Sequence, residues 1–132
     1  MDVTHTGEAA SSGVPYAFAI GGFPVLRGGA PLSGLDGETS AVRTAVGIKG
    51  GGRHLLLLAL DGAAAYRGGL TVAEEADVMR SLGASDAFNL DGGGSTELVT
   101  REDDAAAVTV RSHPSGGAER PVPNGIGVFS AG

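Results

Sequence analysis

The chain has 132 residues, which predicts a single domain with enough apolar material for its own core. Its longest clean apolar run, Leu55 to Leu60, is far shorter than the roughly twenty residues of a membrane span, so no span is expected. With 9 basic and 15 acidic residues, the net charge is −6, which argues against a nucleic-acid partner. The absence of cysteine excludes disulfides and thiolate chemistry.

Residues 1–14 are small and polar, and we expect a flexible N-terminal segment followed by one domain over residues 15–130. The first residues lack the basic and apolar regions of a signal peptide. This leaves two locations open, the cytoplasm and, for a chain whose leader is not part of this sequence, the extracellular space. We favour the extracellular location.

Short apolar runs separated by glycine-rich turns predict a chain with more strands than helices. Residues 28–40 are expected to form a loop. An acidic turn, Glu102 to Asp104, is expected to join two of the strands as a hairpin. The predicted strands are Tyr16 to Ile20, Phe23 to Arg27, Arg43 to Ile48, His54 to Leu60, Ala87 to Leu90, Thr96 to Arg101, Ala106 to Arg111 and Gly125 to Phe129.

One clear helix is predicted between two apolar strands, over Val72 to Leu82. Thr71 and Glu74 have the spacing of a capping box at its start, and Gly83 fits the left-handed stop at its end. Together these elements predict an α+β fold, with a mixed twisted sheet wrapped around one main helix.

The strongest candidate site is the loop that follows the strand Ala87 to Leu90. Its three successive glycines, Gly92, Gly93 and Gly94, can turn their N–H groups inward around an anionic oxygen, and Ser95 and Thr96 add hydroxyl donors. Asp91 stands where the strand ends and can act as general acid, general base or nucleophile. The alternative is a plain glycine-rich turn in which Asp91 bonds its own backbone.

Asp61 likewise follows an apolar strand directly, in an Asp-Gly pair like that of Asp91. If both strands lie in one sheet and run the same way, the two carboxylates emerge at one edge, as hydrolysis of a glycosidic bond requires. Otherwise Asp61 is an ordinary turn residue. Arg43 opens a strand of small and apolar residues. Its guanidinium could form a structural ion pair or bind an anion, and the sequence does not decide between the two. Neither His54 nor His113 has the spacing of a metal ligand, so we expect no metal and no cofactor.

The chain resembles the phosphodiester glycosidase family in segments whose order and spacing agree from about residue 17 to residue 129. The resemblance covers the C-terminal two-thirds of the family's domain, because the family's upstream Asn-Gly segment is not found here. The matching segments are Gly21 to Leu26, Arg43 to Ile48, Asp61 with Gly62, Gly69 to Thr71 with Glu74, Leu82 to Ala84, Asn89 to Thr96, Pro114 with Ser115, and Arg120 to Val122 with Asn124.

The resemblance implies hydrolysis of a sugar-1-phosphodiester, of a small molecule or a glycan, to a free sugar and a phosphomonoester. The expected catalytic pair is Asp91 and Asp61. The expected substrate-binding residues are Arg43, Thr71, Glu74, Asn89, Gly92, Gly93, Gly94, Ser95 and Thr96. Two alternatives stay open: a module that binds phosphosugars or polysaccharide without turnover, and one half of a domain completed by a second chain or a second copy.

Overall fold

The computed structural model describes residues 18–66 and 68–129 of the chain. Seven strands and one α-helix are present in this part. In chain order they are β1 (Phe23–Arg27), β2 (Ala30–Pro31), β3 (Thr44–Lys49), β4 (His54–Ala59), α1 (Val72–Ser81), β5 (Asp86–Asn89), β6 (Val99–Thr100) and β7 (Thr109–Val110), with short 3-10 turns at Ala64–Tyr66 and Gly93–Ser95.

Five strands form the main sheet, in the order β2-β1-β5-β3-β4, and β6 pairs with β7 separately. The predicted α+β fold is confirmed. Every strand pair in the described residues is antiparallel, where the sequence predicted a mixed sheet. The reason is that β3 lies between β4 and β5 and pairs with both. Strands β4 and β5 therefore run in the same direction without touching.

Helix α1 connects β4 to β5 and covers one face of the sheet. The predicted capping box is confirmed, since Thr71 accepts from the Glu74 N–H and the Glu74 carboxylate accepts from the Thr71 N–H. Gly83 follows with a positive φ of 85°, the left-handed end that the sequence predicted. The core lies between helix and sheet and consists of Val25, Leu26, Ala45, Val72, Ala76, Met79, Ala84 and Ala87.

The ends of the chain differ most from the predicted elements. Residues 18–20 of the first predicted strand are not in a strand, and its first two residues lie outside the described part, as do residues 1–14. The predicted last strand, Gly125 to Phe129, was wrong, because these residues pair with no strand of the described chain and Phe129 is 88% exposed. The predicted hairpin is present but short, with only two residues in each strand. No helix in the described residues is long and apolar enough to span a membrane.

Candidate active site at one edge of the sheet

One edge of the main sheet brings together the ends of β4 and β5 and the start of β3. The N–H of Leu60, just past β4, donates to the Arg43 carbonyl at 2.9 Å. The N–H of Leu90, just past β5, donates to the Thr44 carbonyl at 2.8 Å. Adjacent strands lie about 4.8 Å apart, so the backbones of β4 and β5 are about 10 Å apart across β3. The structure thus places Asp61 and Asp91 at the same edge.

Asp91 is held by the loop that follows it. Its Oδ1 accepts from the Gly92 N–H at 3.0 Å, and its Oδ2 accepts from the Ser95 hydroxyl at 2.6 Å. The guanidinium of Arg120 lies 3.7 Å from the same Oδ2 and also donates to the Ser95 hydroxyl. The hydrogen bond from Ser95, with those of Gly92 and the charge of Arg120, lowers the pKa of Asp91. Asp91 is therefore an exposed, ionised carboxylate with a fixed orientation.

The three glycines after Asp91 use most of their N–H groups inside the protein. Gly92 donates to Asp91, and Gly93 donates to the Val42 carbonyl at 2.7 Å. Only the Gly94 N–H has no hydrogen-bond partner among the described residues. A Cβ on Gly92 would lie 2.5 Å from the Val42 oxygen, so this position requires glycine. The expected open cradle of N–H groups is thus largely closed, with one donor left for a ligand.

Two of the expected substrate-binding residues lie beneath this loop. Thr96 is 2% exposed, and the Thr44 hydroxyl donates to its hydroxyl at 2.9 Å. Asn89 is also buried, and its side-chain amide donates to the Leu90 carbonyl at 2.8 Å. The Asn89 side-chain oxygen has no hydrogen-bond partner among the described residues. Both side chains form hydrogen bonds inside the protein that stabilise the loop, and neither faces solvent in this structure.

Asp61 forms a pair with His113. The Nδ1 of His113 lies 3.2 Å from Oδ1 and 3.1 Å from Oδ2 of Asp61, while the Ala63 N–H donates to Oδ1 at 2.7 Å. The hydrogen bond from Ala63, followed by that from His113, lowers the pKa of Asp61. Sequence reasoning considered His113 only as a metal ligand and missed this contact. No spacing signal could reveal it, because 52 residues separate the two side chains.

Gly62 explains why the segment around His113 lies against Asp61. Its N–H donates to the His113 carbonyl at 3.0 Å. A Cβ at this position would lie 2.4 Å from the same carbonyl oxygen and 2.6 Å from the Ser115 nitrogen. The Asp-Gly pair, predicted as a turn or a site, therefore serves as a docking point for residues 113–115.

Arg43 lies between the two carboxylates in the sheet, but its side chain turns to the start of α1. Its Nε donates to the Leu70 carbonyl at 2.9 Å, and its Nη2 donates to the Thr39 carbonyl at 2.8 Å. No ion pair of Arg43 is present in the described residues. Its other amino group, Nη1, has no hydrogen-bond partner there and remains for an anion. The sequence left an ion pair and an anion contact open for Arg43. The structure instead shows hydrogen bonds to two backbone carbonyls.

Thr71 and Glu74, both expected in substrate binding, are used by the capping box of α1. Thr71 is buried, while Glu74 is exposed with one oxygen on the Thr71 N–H. Because Leu70, just before α1, pairs with Ala41, just before β3, this helix start belongs to the same edge as Asp61. The structure leaves their role toward a substrate as a prediction.

Glu75, which sequence reasoning passed over, is the most unusual carboxylate of the chain. It is 0% exposed, and neither of its oxygens has a hydrogen-bond partner in the part of the chain that the structure describes. Burial raises the pKa of Glu75 to about 7, although the positive charge of Arg43 acts to lower it. The sequence could have indicated that this position is buried, because at helical spacing Glu75 lies on the same face of α1 as the apolar residues Val72, Ala76 and Met79.

The chain belongs to the phosphodiester glycosidase family, whose model matches residues 1–129. The family's name describes a glycosidase-type hydrolase with a phosphosugar substrate. No curated protein matches the chain. Among solved structures, a hypothetical protein from Synechocystis is 27% identical, with a TM-score of 0.47 over 56% of this chain and 15% of that chain. This chain thus spans a small part of that protein's length.

Proposed function

We propose that the protein hydrolyses the glycosidic bond between sugar and phosphate in a sugar-1-phosphodiester. Water adds to the anomeric carbon, the bond from that carbon to the phosphate oxygen breaks, and a free sugar and a phosphomonoester leave. The observation that carries the proposal is the meeting of Asp61 and Asp91 at one sheet edge, on either side of β3. Membership of the family supports the same reaction class.

The phosphate would be bound by donors that the fold leaves free at this edge. Arg120 offers a largely exposed guanidinium next to Asp91. Gly94, at which a Cβ would lie 3.5 Å from the Arg120 side chain, offers its N–H. The free Nη1 of Arg43 is a third donor on the helix side. Guanidinium groups match phosphate oxygens in geometry as well as charge, so these residues favour a phosphodiester over a neutral glycoside.

Catalysis would depend more on stabilising the charges that develop on the leaving phosphate and on the sugar ring than on donating a proton to the leaving group. The phosphomonoester dianion that leaves is a much weaker base than the alkoxide that an ordinary glycoside would release, because the last proton of a phosphomonoester dissociates near pH 6. Stabilising its negative charge with Arg120 is therefore the larger task. The ionised Asp91 would face the positive charge that develops on the sugar ring in the transition state.

The test is phosphomonoester release from a panel of sugar-1-phosphodiesters that differ in sugar and in aglycone. The proposal expects release of phosphomonoester and free sugar from at least one member, and no release of free sugar from matched alkyl glycosides without phosphate. Calorimetric titration with the same compounds separates turnover from binding. Tight binding without release across the panel would instead establish a non-catalytic phosphosugar-binding module.

A second candidate role, half of a domain completed by another chain, is favoured by the C-terminal part. None of residues 97–129 is buried, although this stretch carries several large apolar side chains. The exposed ones are Leu98, Val99, Val108, Val122, Val128 and Phe129. Such a density of apolar surface is typical of an interface. The native mass of the purified protein from its own source tests this role, since a completed domain would be heavier than one chain.

A further inference from the structure

We propose that His113 is the proton-transferring residue of this site and that Asp61 acts through it as a positioning residue. The inference rests on the proposed function and assigns roles within that site. It changes the expected role of Asp61, which the sequence predicts as a carboxylate acting directly on the substrate.

The contact geometry fixes which nitrogen of His113 is available. Asp61 is an ionised carboxylate and can only accept hydrogen bonds, so the Nδ1 that lies 3.1 Å from it carries the proton. In the neutral ring Nε2 then holds the free lone pair. The side chain of His113 is 73% exposed, and therefore Nε2 is open to water and to a substrate.

Backbone contacts hold the pair in place from both sides. The Ala63 N–H donates to Asp61 at 2.7 Å, and the Gly62 N–H donates to the His113 carbonyl at 3.0 Å. Asp61 therefore has one oxygen already bonded to backbone and both oxygens within reach of the imidazole. A carboxylate with these contacts fixes the orientation and the tautomer of an imidazole. Its lowered pKa also makes it a poor proton donor near neutral pH.

The other histidine of the described residues provides a comparison. His54 begins β4, at the opposite end of the strand from Asp61, and no carboxylate contacts it in the described part of the chain. Both imidazoles are exposed, but only that of His113 is oriented by a carboxylate at the edge where β4 and β5 end.

In the reaction, Nε2 of His113 takes a proton from the water that attacks the anomeric carbon. The new carbon–oxygen bond forms as the bond to the phosphate oxygen breaks, and the electron pair of that bond leaves with the phosphomonoester. The charge balance at the edge fits this division of roles. Asp61 compensates the imidazolium on the β4 side, while Arg120 compensates the phosphate on the β5 side.

The first test compares kcat and KM across pH for the wild type, His113→Gln and the matched control His54→Gln. For His113→Gln we expect kcat to fall about a hundredfold, the usual scale for loss of an acid–base group, with KM within a few fold. The acidic limb of the kcat profile, on which the imidazole becomes protonated, should disappear in this variant and remain in His54→Gln. Wild-type kcat with an unchanged acidic limb in His113→Gln would overturn the inference.

The second test does not depend on turnover. Nitrogen-15 NMR of the imidazoles should show His113 with its proton on Nδ1, and Asp61→Asn should abolish that preference while leaving His54 unchanged. If the neutral His113 ring carries its proton on Nε2 in the wild type, Asp61 does not orient this imidazole as proposed, and the inference is overturned. If the wild type releases no phosphomonoester from the whole panel, the proposed function fails and the catalytic role of His113 fails with it. Release that is unaffected by His113→Gln overturns the His113 role alone.

Discussion

The Nε of Arg43 donates to the carbonyl of Leu70 at 2.9 Å, across 27 residues of the chain. Through Nη2 the same guanidinium holds the Thr39 carbonyl at 2.8 Å, so it links the loop before β3 to the start of α1. One side chain therefore fixes two segments at the edge where the candidate site lies. Its remaining amino group is the part that can contact a phosphate.

Arg43→Lys should lower both stability and phosphosugar affinity. A lysine keeps the charge but loses the planar fork, so it cannot hold both carbonyls and an anion together. Loss of one such charge-assisted hydrogen bond should cost about 1–2 kcal/mol of unfolding free energy. Urea unfolding and titration with a sugar-1-phosphate measure the two effects. Arg120→Lys is the matched variant, expected to weaken binding with little change in stability. Intact affinity in Arg43→Lys would assign this residue to structure alone.

Thr71→Ala should destabilise the protein by about 1 kcal/mol, the usual cost of losing an N-cap hydroxyl. The variant leaves the Glu74 N–H at the first turn of α1 without its side-chain acceptor. Thermal unfolding checks the loss, with Ser33→Ala as a control on an exposed turn. Equal melting midpoints for Thr71→Ala and the wild type would contradict the role of this cap.

Much of the main sheet and the whole helix could be predicted from the sequence, because their signals are local. The apolar run from Leu55 and the alternation after Arg43 define β4 and β3 within one residue at either end. Thr71, Glu74 and Gly83 mark the limits of α1, since caps act within one turn of a helix. The shared edge of Asp61 and Asp91 was only a conditional expectation, because the sequence did not show that both strands lie in one sheet and run the same way.

The contacts that make the candidate site were beyond the sequence, because they join distant parts of the chain. His113 meets Asp61 across 52 residues, and Arg120 meets Ser95 across 25. The segment Gly125 to Phe129 has the residue types of a strand, but no strand among the described residues pairs with it. Strand propensity depends on a partner and on burial, which a local pattern does not supply.

Asp91→Asn should lower kcat by about a hundredfold or more while substrate affinity changes far less. The amide keeps the size and can still accept from the Gly92 N–H, but the negative charge that faces the sugar is lost. The Gly94 N–H and Arg120 remain to bind the phosphate. Steady-state kinetics test this, with Asp77→Asn as the matched control, because Asp77 pairs with Arg80 on the exposed side of α1. Full activity in Asp91→Asn would leave this residue as a turn former.

Glu75→Gln should remove a pH dependence of stability between about pH 4.5 and pH 7. Burial raises the pKa of Glu75 in the folded protein from 4.5 to about 7, so the folded state retains a proton that the unfolded state releases. Stability therefore falls as pH rises through this window and stays low above it. Hydrogen bonds lower the pKa of Asp36, Asp61 and Asp91, so their opposite effect is confined to more acidic pH.

The size of the Glu75 effect follows from the burial of its carboxylate, which has no hydrogen-bond partner among the described residues. At about 1.4 kcal/mol per pKa unit, ionising it in the folded protein costs about 3 kcal/mol. A glutamine of the same shape carries no charge, so Glu75→Gln should be more stable than the wild type at pH 8 and similar to it at pH 4.5. Urea unfolding at both pH values measures the difference, and Glu119→Gln, on an exposed segment, should behave like the wild type. If the unfolding free energy of Glu75→Gln changes with pH as steeply as that of the wild type, another group is responsible for the pH dependence.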